Sequence, residues 1–131
     1  MRAYLDSCMC MYFIERPADF GELVRGKLRA QRPRICWTAL TRLECRVKPL
    51  TTQDDVLLEA YETFFARPDS LFLNIQNTTF ELATELRARH RLKTADALHL
   101  AAAIEAGCEE FWTNDTRLDT AASGYLKTVT L

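Results

Sequence analysis

The sequence has no CxxC pair, no cysteine with a histidine at zinc-ligand spacing, and an odd set of five cysteines: Cys8, Cys10, Cys36, Cys45 and Cys108. That excludes a disulfide framework and a thiolate zinc site, and leaves the five as small buried hydrophobes of a chain kept reduced. Glycine and proline number only four each, which argues against a fibrous repeat or a disordered tract. No uncharged apolar run approaches the ~18 residues of a membrane span. The opening segment is interrupted by Asp6 and has no small-residue cleavage site after it, so it is not read as a secretory leader, and a cytoplasmic location is expected. Net charge is also missing: 17 Lys and Arg face 18 Asp and Glu. Without a global positive field, any nucleic acid must be held by local patches.

What is present is the material of one ordinary globular unit. The 131 residues are 48% hydrophobic, and a chain of this length buries roughly two-thirds of its unfolded surface without staples. With no linker or repeat, residues 1–131 are expected to form a single domain. Periodicity predicts strands over 2–5, 34–37, 71–75, 110–113 and 127–130. Between them lie helix patterns. One carries Met9, Tyr12 and Phe13 and ends before Pro17. A second carries Phe20, Leu23, Val24 and Leu28 on one stripe. Thr38 is the expected cap of a third, ended by Pro49, and Thr52 with Asp55 of a fourth. Thr78 with Glu81 should open a fifth, and Thr94 a sixth that stops at Gly107. Alternating strands and helices with little hairpin chemistry predict an α/β fold, a mainly parallel sheet of about five strands covered on both faces.

Such sheets place their ligand sites outside the carboxyl ends of the strands. Four acids then stand out: Asp6 after the first strand, Glu44 on the helix after the second, Asp96 in the first turn of the Thr94 helix, and Asp115 after the fourth strand. Singly, each has a bland reading, as a helix cap for Asp6 and Asp115, a helix-dipole partner for Asp96 and a surface acid for Glu44. Jointly they need compensation, since carboxylates ~4 Å apart repel by about 4 kcal/mol at an effective dielectric of 20. Oxygen-only donors suit a hard cation, Mg²⁺ or Mn²⁺, and such an ion supports phosphodiester hydrolysis.

Four segments carry a resemblance: Tyr4-Leu5-Asp6-Ser7, Thr41-Arg42-Leu43-Glu44, the run Thr94-Ala95-Asp96-Ala97-Leu98-His99-Leu100-Ala101-Ala102-Ala103, and Thr113-Asn114-Asp115. In this order and spacing they resemble the PIN domain, and most closely VapC-type toxins of bacterial toxin-antitoxin modules. The resemblance covers essentially the whole chain. It implies a PIN-like three-layer fold and a Mg²⁺- or Mn²⁺-dependent endoribonuclease, with Asp6, Glu44, Asp96 and Asp115 as the catalytic, metal-binding acids. It also implies an RNA substrate such as tRNA or rRNA, a homodimer, and a VapB-type antitoxin partner. Two positions depart from the family: Cys8 stands where Asn or Ser is common, and Arg46, Val47 and Lys48 follow Glu44 where a small residue is frequent.

Ser7, Thr113 and Asn114 are candidate donors that orient the carboxylates, and Asp119 a candidate outer acid. Arg42 and Arg46 flank Glu44 on its helix and are candidate RNA-phosphate contacts. His99 follows Asp96 by three positions, where a hydrogen-bonded structural role outweighs proton transfer. The alternative reading is a catalytically silent PIN scaffold that binds its antitoxin and, in complex, operator DNA. A receiver-type signalling domain fits poorly, since the first strand ends in one acid and the third runs into Asn74 and Gln76.

Overall fold

The computed structural model describes residues 1–131. Five strands, β1 (Arg2–Leu5), β2 (Arg34–Thr38), β3 (Leu71–Leu73), β4 (Glu110–Trp112) and β5 (Lys127–Val129), form one sheet in the order β3-β2-β1-β4-β5. Every neighbouring pair is parallel. Each crossover is helical: α1 (Ser7–Glu15) and α2 (Gly21–Gln31) follow β1, and α3 (Ala39–Thr51) and α4 (Asp55–Phe65) follow β2. Then α5 (Asn77–His90) and α6 (Thr94–Glu105) follow β3, and α7 (Thr116–Ala122) follows β4. The expected α/β class with a parallel sheet is the observed one.

The chain builds the sheet outward from β1 to β3, then returns across β1 to add β4 and β5 on the other side. Because parallel crossovers keep one hand, reversing direction moves the helices to the opposite face. Two cores result. Ala3, Leu5, Ile35, Trp37 and Trp112 pack against α1 to α4, while Tyr4, Cys36 and Phe111 pack against α5 to α7. The period-two alternation along β1 divides its side chains between them. Tyr4 and Phe111, opposite each other in register, stack with centroids 5.4 Å apart. Four of the five cysteines are buried as expected, whereas Cys8, at the start of α1, is only half-buried; all five are free thiols.

Several boundaries differ from the sequence expectation, each for a local reason. Proline 49 does not end its helix: α3 continues to Thr51, because a proline in the last turn forfeits only its own N–H while Thr52 N still donates to Lys48 O at 3.0 Å. The cap of α4 is Asp54, whose carboxylate accepts from Leu57 N at 3.0 Å, in place of Thr52. Helix α5 starts at Asn77, with Gln76 N donating to the Thr79 hydroxyl, in place of Thr78. Lys93 occupies the cap position of α6, so Thr94 is the first helical residue. Leu23 is 51% exposed, and only Val24 and Leu28 of its stripe enter the core. Gly107, at φ 67°, closes α6 as expected.

Helix α2 begins tight against the chain that precedes it. A Cβ on Gly21 would lie 2.6 Å from Arg16 Cα, a backbone atom that cannot swing aside, whereas one on Gly26 would meet nothing within 4 Å. Gly21→Ala is therefore expected to cost about 1–3 kcal/mol through overpacking. Gly26→Ala should add ~0.5–1 kcal/mol by helix propensity alone. Urea unfolding midpoints at constant slope check both, and equal effects would contradict the packing described.

Candidate active site

The strand order reverses between β1 and β4, and the loops leaving their carboxyl ends diverge to opposite faces. Asp6 stands at this point. Its backbone N donates to Trp112 O at 3.0 Å, which extends the β1–β4 pairing to the acid itself. The side chain is only 7% exposed. Oδ1 accepts from Ser7 N at 2.8 Å, and Oδ2 accepts from the Thr113 hydroxyl at 2.8 Å. The same buried Thr113 oxygen accepts from Asp115 N at 3.0 Å. One threonine thus ties the acid after β1 to the acid after β4. Asp115 is exposed and caps α7, its Oδ1 accepting from Leu118 N at 3.0 Å.

Glu44 reaches the same region from the second turn of α3, and Asp96 from the first turn of α6. Burial, the largest single influence, raises the Glu44 carboxyl, but the hydrogen bond from His99 Nε2 at 2.5 Å, the electrostatic influence of that ring and a hydrogen bond from Ser7 together outweigh it and hold the group below its usual range. Asp96 moves the other way. Burial raises its carboxyl first, and the charges of Asp6, Asp115 and Glu44 raise it further. Asp96 therefore lies within electrostatic reach of the other three sequence-selected acids.

The donor set is all oxygen, which fits a hard divalent cation. No three acidic, histidine or cysteine side chains converge as a ready cage. Asp6, Glu44 and Asp115 each give an oxygen lone pair to a protein donor, so an ion here would take the lone pairs that remain and complete its shell with water, the usual habit of Mg²⁺. Cys8, with its sulfur 3.7 Å from Asp6 Oδ2, has its thiol pushed up to about 12 by burial and then by the Asp6 charge. It stays a neutral thiol, a weak donor to Asp6 in place of an amide or hydroxyl.

Of the other sequence candidates, Ser7 and Thr113 contact the acids. Asn114 turns away, its Oδ1 accepting from Leu131 N at 2.8 Å, and Asp119 lines a separate depression with Asn114 and Tyr12. Arg42 and Arg46 share one partner, Glu62 of α4, at 2.9 Å each. Sequence reading passed over two other cations. Lys93 and Arg117 line a cleft of about 320 Å³ with Asp96, Asp115 and Thr116, and neither forms an ion pair. Their signal was adjacency: each flanks a motif acid within three residues. A larger groove of about 570 Å³ along α5, lined by Phe80, Arg87 and Leu92 among others, contains none of the acids.

Comparison with known proteins agrees with this fold. Residues 3–124 match the PIN domain family. Among solved structures, the fold resembles VapBC2 from Rickettsia felis bound to a promoter DNA fragment (15% identity, TM-score 0.75, 100% of this chain and 99% of that one). It also resembles a toxin-antitoxin complex from Klebsiella pneumoniae (22%, 0.74, 98% and 96%). A third likeness is to the sarcin-ricin-loop-cleaving toxin VapC20 of Mycobacterium tuberculosis (15%, 0.73, 95% and 97%). The search of curated proteins gives no match.

The raised Asp96 carboxyl is a stability cost of the metal-free protein. A folded-state value above the unfolded one lowers stability at neutral pH, and the cost disappears as pH falls and both states take up the proton. Asp96→Asn is expected to stabilise the EDTA-treated protein at pH 7 by at most ~1 kcal/mol, given solvent screening of a half-exposed group. The gain should shrink toward pH 4. Urea titrations at both pH values check this, and destabilisation at pH 7 would contradict it.

Proposed function

The chain belongs to the PIN domain family, and from that premise we propose that it is a VapC-type toxin, a Mg²⁺- or Mn²⁺-dependent endoribonuclease held in check by a VapB-type antitoxin. One observation supports the reading: after burial, the Asp96 carboxyl is pushed up by the charges of Asp6, Asp115 and Glu44, acids that come from three other segments of the chain. A fold gains no stability from gathering like charges, so the cluster is explained by a cation that it binds.

In this reading Asp6, Glu44, Asp96 and Asp115 would hold the ion, whose chemistry there would be to lower the pKa of a bound water and to stabilise charge on the phosphoryl oxygens. The chain's own groups do the positioning. Thr113 and Ser7 fix both oxygens of Asp6, so that carboxylate keeps one orientation. Asp115 is fixed by the first turn of α7. Asp96 sits at the third position of α6, where the positive helix end offsets part of its charge. Lys93 and Arg117, unpaired at the cleft beside Asp96 and Asp115, are placed to hold a backbone phosphate of RNA. Arg42 and Arg46 can add phosphate contacts on the Glu44 side in competition with Glu62.

The partner assignment has a surface to support it. Leu43, Val47 and Leu50 are each more than half exposed and lie along one stripe of α3 beside Glu44. An antitoxin segment covering the site would bury this stripe. A homodimer is the assembly we assign to the toxin itself.

Two measurements test the proposal. Purified protein with Mn²⁺ or Mg²⁺ should cleave structured RNA, excess EDTA should stop it, and Asp96→Ala should lower the rate by about 100-fold or more while remaining folded. Cleavage that persists in EDTA, or in the folded mutant, overturns the assignment. In RNA-binding titrations, Lys93→Ala and Arg117→Ala should each reduce the salt slope by about 0.7–1, one phosphate contact apiece. Arg42→Ala and Arg46→Ala should reduce it less, because Glu62 already neutralises them.

A further inference from the structure

Beneath Glu44 runs a chain of buried polar groups that no acid-cluster argument requires. His99 is 1% exposed, and its two ring nitrogens are both engaged: Nε2 with Glu44 Oε1 at 2.5 Å and Nδ1 with the Tyr4 hydroxyl at 2.5 Å. The Tyr4 oxygen also lies 3.2 Å from the hydroxyls of Thr38 and Thr41. All four of these residues are buried, and they come from β1, the end of β2, α3 and α6.

Donor accounting gives the chain a direction. Thr41 Oγ1 accepts from Thr38 N at 3.2 Å, so its own proton is free to go to Tyr4. Thr38 can donate there too, which fills both lone pairs of the phenol oxygen. The single Tyr4 proton then goes to His99 Nδ1, and the imidazole proton sits on Nε2, aimed at Glu44. We propose that His99, its tautomer set by Tyr4, is a positioning residue that fixes the Glu44 carboxylate as a cation ligand. This rests on the metal-dependent reading above. It assigns His99 a part in the site that its apolar helix surroundings gave no reason to expect, and it makes Tyr4 more than a core aromatic.

The tautomer is read on the metal-free protein by long-range ¹H–¹⁵N spectra of the imidazole. A proton on Nε2 alone is expected, and a proton on Nδ1, alone or with Nε2, overturns the proposal. Manganese binding, followed by electron paramagnetic resonance of the free ion, reads the consequence. His99→Leu should weaken Mn²⁺ affinity by about 10–100-fold, the usual effect of removing a group that orients a ligand. His99→Gln, whose amide can place an N–H near the Nε2 position, should recover most of it. Tyr4→Phe should lose less than His99→Leu. If the leucine variant does not fold, the glutamine and phenylalanine variants and the spectra still decide. Unchanged affinity in folded His99→Leu, or equal loss in His99→Gln, overturns the positioning role while leaving the ribonuclease reading intact. Failure of the unmodified chain to bind Mn²⁺ overturns both.

Discussion

Strand β1 is hydrogen-bonded on both edges by parallel neighbours that the chain reaches by travelling in opposite directions, and the rest of the structure follows from that pairing. Building from β1 to β3 fills one face with α1 to α4, and returning to β4 fills the other with α5 to α7. The loops that leave β1 and β4 must then part, and a polar notch opens where they do. Asp6 and Thr113 are the first residues past the two strands, so their side chains meet there without any further device. The helices that supply Glu44 and Asp96 start from the same edge of the sheet, which brings Glu44, in the second turn of α3, and Asp96, in the first turn of α6, toward the same notch.

A site made this way has an electrostatic problem and a structural answer to it. Three of the acids are bound to fixed donors: Asp6 to Thr113 and Ser7 N, Glu44 to His99, and Asp115 to Leu118 N. Each donor lowers the cost of keeping a carboxylate ionised away from bulk water. Asp96 accepts no such bond from the chain, and it is the one acid whose carboxyl is pushed up by burial and by its neighbours. Under the proposed function, compensation falls to the bound cation and to Lys93 and Arg117 in the cleft beside Asp96 and Asp115. With the four acids set apart, the remainder of the chain carries more bases than acids, so a near-neutral total conceals an acidic notch in a mildly basic body.

The alternation of strand and helix patterns was readable because hydrophobic period is a strong local signal, and the five strands lie where it placed them, β3, β4 and β5 ending one or two residues early and β2 one residue late. Boundaries were less readable. Thr52 and Asp54 are both good caps, and the choice between them depends on where the preceding helix stops, which Pro49 misrepresents. Leu23 satisfied the helical stripe yet stays exposed, since the stripe is wider than the surface available to cover it. Arg42 and Arg46 looked free beside Glu44; Glu62, on another helix, is what they meet. No periodicity reports a partner sixteen or twenty positions away on another helix.

The sequence by itself determined the class of fold and which acids could matter, because both are written in local pattern and in residue type at strand and helix ends. It could not say that Thr113 would serve two acids at once, that Glu62 would occupy two arginines, or that His99 would join Tyr4 to Glu44 across 95 and 55 positions of chain. Those were decided by the tertiary structure. Hydrogen bonds between distant residues depend on where the sheet register and the helix crossovers set each side chain. An apolar helix with one histidine reads the same whether that histidine is idle or holds the carboxylate opposite.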